Sequence, residues 1–129
     1  MQWCAIRVYD TFCMVRDQYR VGFIVITHDL LLARKFCERI VVMYCGRVLE
    51  TNAARELFEH PRHPYTQGLI ASLPHLGMKP MAGFSPAFTD QPSGCVFHPR
   101  CPYAEARCRH TEPKSIPCGE GSVCCHRYA

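Results

Sequence analysis

The chain has its first clear hydrophobic run at residues 23–26, with the sequence FIVI. Glycine precedes this β-branched run and polar residues follow it, which is typical of a strand buried on both faces of a parallel sheet. Asp29 is a favourable N-cap for the helix predicted next. Leu32, Phe36 and Ile40 recur at helical spacing and would share one face of that helix. The pattern predicts a buried strand followed by an amphipathic helix.

A second apolar run, at residues 40–44, is followed by Cys45-Gly46 and by a returning segment at residues 47–50. Glycine supplies the positive φ that tight two-residue turns require. Two apolar segments joined by such a turn are typical of an antiparallel pair. The pattern therefore predicts a β-hairpin.

Two short helices are predicted after the hairpin, and the first of them spans residues 53–59. Pro64 begins the second helix, because the missing N–H of proline costs nothing in the first helical turn. Tyr65, Leu69 and Leu73 are spaced to form the apolar face of this helix.

The other segments are less regular. Residues 1–20 show neither a clean helical nor a clean strand period, apart from a weak helix predicted within residues 9–19. Residues 76–92 are rich in Gly, Pro, Met and Ser, which is typical of a linker or of a loop draped over the surface. A cysteine-rich tail follows from residue 93 onward.

Composition narrows the classes of function. Hydrophobic residues make up 48% of the chain and charged residues 20%, as in ordinary folded proteins. No apolar run approaches the roughly 20 residues that span a bilayer, and the N-terminus lacks the basic and apolar regions of a signal peptide. The net charge of +4 is mild and the basic residues are scattered. We therefore expect no nucleic-acid partner and no direct membrane span.

Cysteine is the unusual component, with ten residues in 129, six of them in the last 35. Without a predicted signal peptide, clustered cysteines are better explained by metal binding in a reducing compartment than by disulfides. A secreted disulfide protein is the least favoured alternative. The cysteines outside the tail are interpreted as small apolar residues: Cys4, Cys13, Cys37 and Cys45.

The tail offers four thiolates for one metal centre, at Cys95, Cys101, Cys108 and Cys125. Their spacing matches neither the short pairs of structural zinc sites nor the ferredoxin patterns. Four thiolates nevertheless suit either Zn²⁺ or a [4Fe–4S] cluster. Two alternatives stay open, namely a histidine in place of one thiolate and cysteines that are buried or paired without metal. The candidate histidines are His98, His110 and His126.

Two further histidine motifs have a structural and a functional interpretation. His28 ends the predicted strand in ITHDL, where a neutral imidazole can hydrogen-bond a phosphate or a water, or can simply lie in a surface turn. His60 and His63 are three residues apart in HPRHPYT and could be metal ligands. Proline after each histidine favours an extended backbone instead, so a rigid link into the helix is the preferred interpretation.

Three segments of the chain resemble one family. ITHDL followed by RIVVMYCGRVLE resembles the end of the ATP-binding subunit of ABC transporters. ELFEHPRHPYTQGLIASLP is similar to the C-terminal extension of the oligopeptide and dipeptide branch of these subunits. GCVFHPRCPYAEARC, with a late cysteine before a histidine, resembles the tail of the same branch.

The resemblance implies roles for specific residues. His28 takes the position of the histidine that contacts the γ-phosphate of ATP. Cys95, Cys101, Cys108 and Cys125 take the positions of four cysteines that bind a [4Fe–4S] cluster in some members, with zinc as the alternative. Cys125 is preferred to its neighbour Cys124 because the last cysteine of the family is usually followed by histidine.

The resemblance also implies a division of the chain. The expected fold class is α/β: a C-terminal remnant of an ABC ATPase domain (strand, helix and β-hairpin), followed by short helices and a loop-rich, cysteine-containing tail. Residues 1–20 stay unassigned, residues 21–59 end the ATPase domain, residues 60–92 form a linker helix and loop, and residues 93–129 form the cysteine-rich domain.

Several motifs of the ATPase are absent from the sequence. The chain contains no G-x-x-x-x-G-K-[ST] loop, no LSGGQ and no strand ending in Asp-Glu. We therefore expect no ATP or magnesium binding and no ATP hydrolysis by this chain alone.

The family's ATPase works in an importer. The implied partners are a second ATP-binding subunit and the membrane permease subunits, at the cytoplasmic face of the inner membrane. The competing hypothesis is a stand-alone, non-catalytic module that binds iron–sulfur or zinc.

Overall fold

The computed structural model describes residues 2–87 and 89–129, and gives side-chain surroundings for these except residues 2–9 and 75. The chain divides into two compact units, Met1–Phe36 and Cys37–Ala129. No helix in the described part is long and apolar enough to cross a membrane.

The first unit contains two helices, α1 (Gln2–Tyr19) and α2 (Leu30–Phe36). The weak helix predicted within residues 9–19 is confirmed and is longer than expected. Asp29 caps α2, since its Oδ1 accepts a hydrogen bond from the Leu32 backbone N–H at 3.0 Å. The predicted continuation of α2 to Ile40 is wrong, because Ile40 lies in the first strand of the second unit.

The strand predicted at residues 23–26 is not formed. The segment has no regular secondary structure, and the side chains of Ile24 and Ile26 are 97% and 98% exposed. A strand buried on both faces needs hydrogen-bonded neighbours, and all four strands of the sheet in the described residues begin at or after Arg39. Residues 23–26 have the hydrophobic pattern of a buried strand, but the described residues provide no neighbouring strands for them.

The second unit begins with the predicted hairpin, made by β1 (Arg39–Tyr44) and β2 (Arg47–Ala53) in antiparallel register. Cys45 and Gly46 both have positive φ, at 47° and 76°, as a two-residue type I′ turn requires. Residues of β1 alternate between exposed and buried. The hairpin prediction is confirmed.

Two short helices follow, α3 (Ala54–Glu59) and α4 (Pro64–Ala71), as predicted. The apolar face predicted for α4 is wrong by one position. Thr66 and Ile70 are buried, whereas Tyr65, Leu69 and Leu73 are only partly buried. The N-terminal end of α4 is anchored to β2 by hydrogen bonds, and such an anchor sets the rotation of a two-turn helix independently of its hydrophobic spacing.

The cysteine-rich tail returns to the hairpin and extends its sheet. Two three-residue strands, β3 (Ile116–Cys118) and β4 (Gly121–Val123), give the strand order β1-β2-β4-β3. Strand β4 pairs antiparallel with β2, where Glu50 lies opposite Val123. Hairpin, linker helix and tail therefore fold together within one compact unit.

The core of this unit lies between the hairpin and the start of the tail. Its central side chain is Phe97, which is 1% exposed and lies 5.4 Å from the Tyr44 ring and 5.3 Å from the Tyr65 ring, centroid to centroid. Leu49 and Val96 complete the apolar cluster. A mixed helix and antiparallel-sheet fold is confirmed, and it places the first tail cysteine inside the core.

Candidate thiol site in the cysteine-rich tail

The four predicted thiols line one pocket. Cys95, Cys101, Cys108 and Cys125 are among the residues that line a small pocket, which is partly open to solvent. The separation of these residues along the chain is large, yet the turns of the tail bring all four to one place. Whether they bind metal stays a prediction from sequence.

Three of the four thiols are held by the same local turn. The sulfur of Cys95 accepts a hydrogen bond from the backbone N–H of Phe97, two residues further on. Tyr103 and Arg127 make the same contact to Cys101 and Cys125. A backbone N–H that points at sulfur favours the thiolate over the thiol, but at all three cysteines burial has the larger and opposite effect on the pKa.

The carbonyl oxygens of the same cysteines close these turns. Each accepts a hydrogen bond from the N–H three residues further on, at 2.9 Å for Cys95, 3.2 Å for Cys101 and 3.1 Å for Cys125. Both polar groups of the turn are thereby used, and the cysteine side chains project from short rigid loops rather than from flexible ones.

Cys108 is joined to Cys95 through the backbone. The N–H of Cys95 donates to the carbonyl of Cys108 at 2.8 Å. Gly94 makes this approach practicable, because its φ is +70° and a Cβ there would lie 2.5 Å from the same carbonyl oxygen. The glycine of the GCVFHPRC segment therefore has a structural function that brings two candidate ligands together.

The surroundings of the pocket favour the neutral form of its thiols. Burial raises the pKa of the Cys95, Cys101 and Cys125 thiols, and the neighbouring thiols raise it further. Arg127 acts in the opposite direction on the pKa of Cys101 and Cys125. Several thiolates in one buried pocket repel each other, so a positive charge among them is needed before they all deprotonate.

The four thiols do not form a closed metal site. Within the described residues, no three His, Cys, Asp or Glu side chains converge closely enough to hold a metal ion. A single zinc ion draws all its thiolates to about 2.3 Å from one point.

The alternative ligands considered for the tail differ in whether they line the pocket. His98 and His126 line the pocket, but each has a ring nitrogen within 3.0 Å of a backbone carbonyl, of Cys95 and of Thr111 respectively. His110 is not among the lining residues. Of the adjacent pair, Cys125 lines the pocket, while the N–H of Cys124 pairs with the carbonyl of Leu49 in β2.

The remaining thiols lie elsewhere. Cys118 belongs to β3 and does not line the pocket. Cys13, Cys37 and Cys45 are partly buried free thiols, which agrees with their interpretation as small apolar residues, and the side chain of Cys4 lies outside the described residues. The described cysteines form no disulfide, so the secreted disulfide alternative gains no support.

His28 belongs to the first compact unit, where it occupies a bend just before α2 and is exposed.

A residue that sequence reasoning missed as part of the thiol site is His63. It is 2% exposed, lines the same pocket as the cysteines, and lies 5.6 Å from the Phe97 ring between ring centroids. Burial lowers the pKa of His63 from 6.5 to about 4. The HPRHP sequence indicated a rigid link, but nothing in its spacing indicated a side chain shared with the cysteine tail.

Glu50 was missed as well. This carboxylate is fully buried and accepts hydrogen bonds from the backbone N–H groups of Arg62 and His63, each at 2.9 Å. Its position beside Leu49 in an apolar strand is the one signal that could have drawn attention to it, because a charged residue inside a strand needs a partner.

One protein family matches part of the chain. Residues 49–108 match the family described as the oligopeptide/dipeptide transporter, C-terminal region. That segment runs from β2 through Cys108 and contains Glu50, His63 and three of the four pocket cysteines.

Related proteins carry names from peptide transport. The chain is 42% identical over 111 residues to the dipeptide transport ATP-binding protein DppD of Haemophilus influenzae, covering 82% of this chain and 34% of the relative. It is 38% identical over 112 residues to DppD of Escherichia coli, covering 83% and 34%. A putative peptide import ATP-binding protein of Brucella ovis is 34% identical over 131 residues, covering 92% and 39%.

The chain thus spans a little over a third of the length of the curated relatives it matches. No relative among these is named as a stand-alone metal-binding module. Residues 49–108 are therefore similar to the C-terminal region of the oligopeptide/dipeptide transporter family, and most of the chain is similar to part of peptide-transport ATP-binding proteins.

Proposed function

We propose that this chain supplies the C-terminal part of the ATP-binding subunit of a peptide ABC importer, in which ATP binding and hydrolysis are coupled to peptide uptake. The observation that carries the proposal is the match of residues 49–108 to the transporter C-terminal region. The names of the relatives, dipeptide transport and peptide import ATP-binding proteins, support the substrate class.

The residue proposed to contact the nucleotide is His28. Its exposed position at the bend after an unpaired apolar segment leaves the imidazole accessible. In the complete subunit we expect His28 to hydrogen-bond the γ-phosphate of ATP, with magnesium and the phosphate loop supplied by sequence absent from this chain. The partners would be a second ATP-binding subunit and the permease subunits, at the cytoplasmic face of the membrane.

The thiol pocket is proposed to have a structural role. We expect Cys95, Cys101, Cys108 and Cys125 to hold a [4Fe–4S] cluster, with zinc as the second candidate. When bound, such a group supplies metal–thiolate bonds that stabilise a loop-rich tail. The repeated backbone turns orient three of the four sulfurs, the Cys95–Cys108 backbone hydrogen bond holds the fourth cysteine nearby, and Phe97 lines the pocket.

A chimera tests the transport function. Residues 21–129 of this chain would replace the corresponding C-terminal third of DppD from Haemophilus influenzae, and uptake of a labelled dipeptide would be measured in cells lacking the native protein. We expect uptake to be retained, and to be lost when His28→Ala is introduced into the chimera. A chimera that accumulates normally, assembles with its permease and transports nothing would overturn the proposal.

A second experiment addresses the chain by itself. The purified chain should release no phosphate from ATP above the level of a His28→Ala control, because no phosphate loop is present in its sequence. ATP hydrolysis by the purified chain that His28→Ala abolishes would contradict this expectation.

A further inference from the structure

Residues 125–129, which we call the strap, form one side of the thiol pocket. Cys125, His126 and Arg127 all line it, and they belong to a segment with a single 3₁₀ turn, His126–Tyr128. Because the strap supplies three lining residues in succession, its position determines how much of the pocket is covered.

The strap begins where the firmly held part of the tail ends. Val123 is fully buried in β4, and the N–H of Cys124 donates to the carbonyl of Leu49 in β2 at 2.8 Å. In the strap itself no side chain is buried, and Tyr128 is 37% exposed. A movement of the strap about Cys124 would therefore leave the sheet in place.

Two hydrogen bonds attach the strap to other parts of the second unit. The Tyr128 hydroxyl donates to the backbone carbonyl of Arg62, in the linker, at 3.1 Å. The Arg107 guanidinium donates through Nη2 to the backbone carbonyl of His126 at 2.9 Å. Both bonds are exposed, so water can replace them when the strap moves, and each contributes little to stability.

Two side chains of the strap make further contacts at the protein surface. Nε2 of His126 donates to the carbonyl of Thr111 at 2.8 Å. The guanidinium carbon of Arg127 lies 4.0 Å from the centroid of the Tyr103 ring, as in a cation–π contact. A segment that is held by exposed polar contacts and buries no side chain is of the kind that opens locally, without unfolding of the core.

The strap is also connected to the hairpin through the linker. Arg62 accepts the Tyr128 hydroxyl at its carbonyl, and its N–H donates to Oε1 of Glu50, in β2, at 2.9 Å. The same carboxylate is fully buried and accepts the N–H of His63 through Oε2. The acceptor that holds the strap is therefore itself fixed to the sheet.

Cys95 is the pocket thiol that the strap is best placed to cover. It is 8% exposed and lines the same pocket as the strap residues. Burial raises the pKa of the Cys95 thiol, and the thiols of Cys108 and Cys125 raise it further, as near neighbours do. A thiol of the strap therefore lies close to Cys95.

We propose that the strap is a lid on the thiol pocket, held shut by the Tyr128–Arg62 and Arg107–His126 hydrogen bonds, and that its opening limits how fast a small electrophile reaches the sulfur of Cys95. The lid covers free thiols and needs no metal in the pocket. It makes Cys95 a modification site whose accessibility depends on the linker.

The test measures alkylation of the full, reduced chain by iodoacetamide at one fixed pH, with each cysteine followed by peptide mass spectrometry. The sulfur forms a bond to carbon, iodide leaves, and the thiol proton passes to the buffer. Tyr128→Phe with Arg107→Met removes both hydrogen bonds and retains side chains of similar size. Tyr19→Phe with Arg55→Met is the matched control, since both side chains are exposed and neither lines the pocket.

We expect alkylation of Cys95 to become about tenfold faster in the double variant and to stay unchanged in the control, since one such hydrogen bond corresponds to about a fivefold change in an equilibrium constant. Cys45 is the internal reference, because it packs against the same core but does not line the pocket. An unchanged Cys95 rate would overturn the proposal. An equal acceleration at Cys95 and Cys45 would also overturn it, since the whole unit would then have loosened.

Tyr128→Phe alone separates opening of the lid from a change in charge. This variant leaves every charged group in place and should accelerate alkylation of Cys95 about fivefold. An acceleration that appears only when Arg107 is also replaced would trace to the lost positive charge and would contradict the lid.

Hydrogen exchange of the wild-type chain covers the case in which the double variant fails to fold. The N–H of Tyr128 donates within the strap to the carbonyl of Cys125, whereas the N–H of Cys124 donates to β2. We expect the Tyr128 amide to exchange at least about tenfold faster than the Cys124 amide, because the strap opens while the sheet stays closed. Equal protection of the two amides would overturn the proposal.

Discussion

Two apolar runs of similar composition differ in structure: one forms a strand and the other does not. FIVI, at residues 23–26, is exposed and forms no strand, whereas IVVMY, at residues 40–44, forms a strand with alternating buried positions. The partner strand of the second run follows after only the two residues of the Cys45-Gly46 turn. The first run has the sequence pattern of a strand with neighbours on both sides. In a parallel sheet such neighbours are distant in sequence, so the pattern alone does not supply them.

The comparison extends to the two compact units. Residues 37–129 bury an aromatic and thiol core that joins hairpin, linker helix and tail. In residues 10–36, one side chain, Ala33, is buried, and five apolar side chains at residues 21–26 are exposed. Residues 37–129 therefore share one core, whereas the apolar segment at residues 21–26 pairs with no strand in the described part of the chain.

The largest expected effect comes from removing a pocket thiol. If a metal group binds the four thiolates, Cys101→Ser should release it and unfold the tail, because structural metal sites of small domains contribute about 10–16 kcal/mol. Cys118→Ser, outside the pocket, should retain the metal. Hydrogen exchange should show lost protection in residues 93–129 and no change in residues 2–36; equal protection in both variants would contradict the claim that these thiols organise the tail.

The next largest effect is expected at Phe97. Replacement by alanine removes a ring that contacts Tyr44, Tyr65 and His63, and should cost about 3–5 kcal/mol in the free energy of unfolding. Phe84→Ala is the control, since Phe84 is 96% exposed and its loss should change stability by less than about 0.5 kcal/mol. Urea titration of both variants measures the difference, and similar midpoints would break the contrast between core and surface.

An acid-dependent effect is expected in the second unit. Burial lowers the pKa of His63 from 6.5 to about 4, so the unfolded chain binds the additional proton between these values. Neutral His63 therefore contributes fully to the free energy of unfolding above pH 6.5. This contribution is lost as the pH falls toward 4, by about 3 kcal/mol in total. His63→Asn should flatten this dependence in urea titrations at pH 4–7; an unchanged slope would show that other groups cause it.

The smallest effect is expected in the exposed run. Ile24→Asp together with Ile26→Asp should change the stability of residues 37–129 by less than about 0.5 kcal/mol and should reduce self-association. Ile40→Asp, in the paired run, places a charge in a buried strand and should be strongly destabilising. Analytical ultracentrifugation measures self-association, and thermal melts measure stability. Equal destabilisation by the double change at Ile24 and Ile26 and by Ile40→Asp would contradict the distinction between the two runs.

Local features were predictable from the sequence. The turn at Cys45-Gly46 and the start of α4 at Pro64 depend on backbone preferences of the residues themselves, and both are confirmed. The resemblance also selected the four cysteines that line one pocket. Each of these features is encoded in a few neighbouring residues or in a motif.

Long-range features were not predictable. Glu50 pairs with Val123 across 73 positions, and β3 and β4 are three residues long, too short for a period to be recognised. Pro117 argued further against a strand, although β3 is an edge strand and tolerates it. His63 and Phe97 are far apart in sequence although their rings lie 5.6 Å apart between centroids, so the wall of the thiol site could not be predicted from spacing.

The most direct test of the account is the metal content of the chain after anaerobic purification. Iron, acid-labile sulfide and zinc would be measured in wild type and in serine variants of Cys95, Cys101, Cys108 and Cys125, with Cys118→Ser and Cys124→Ser as controls. We expect iron and sulfide in equal amounts in wild type and both controls, and their loss in each of the four variants. A metal-free wild type, or loss of metal in the controls to the same extent, would contradict the central claim.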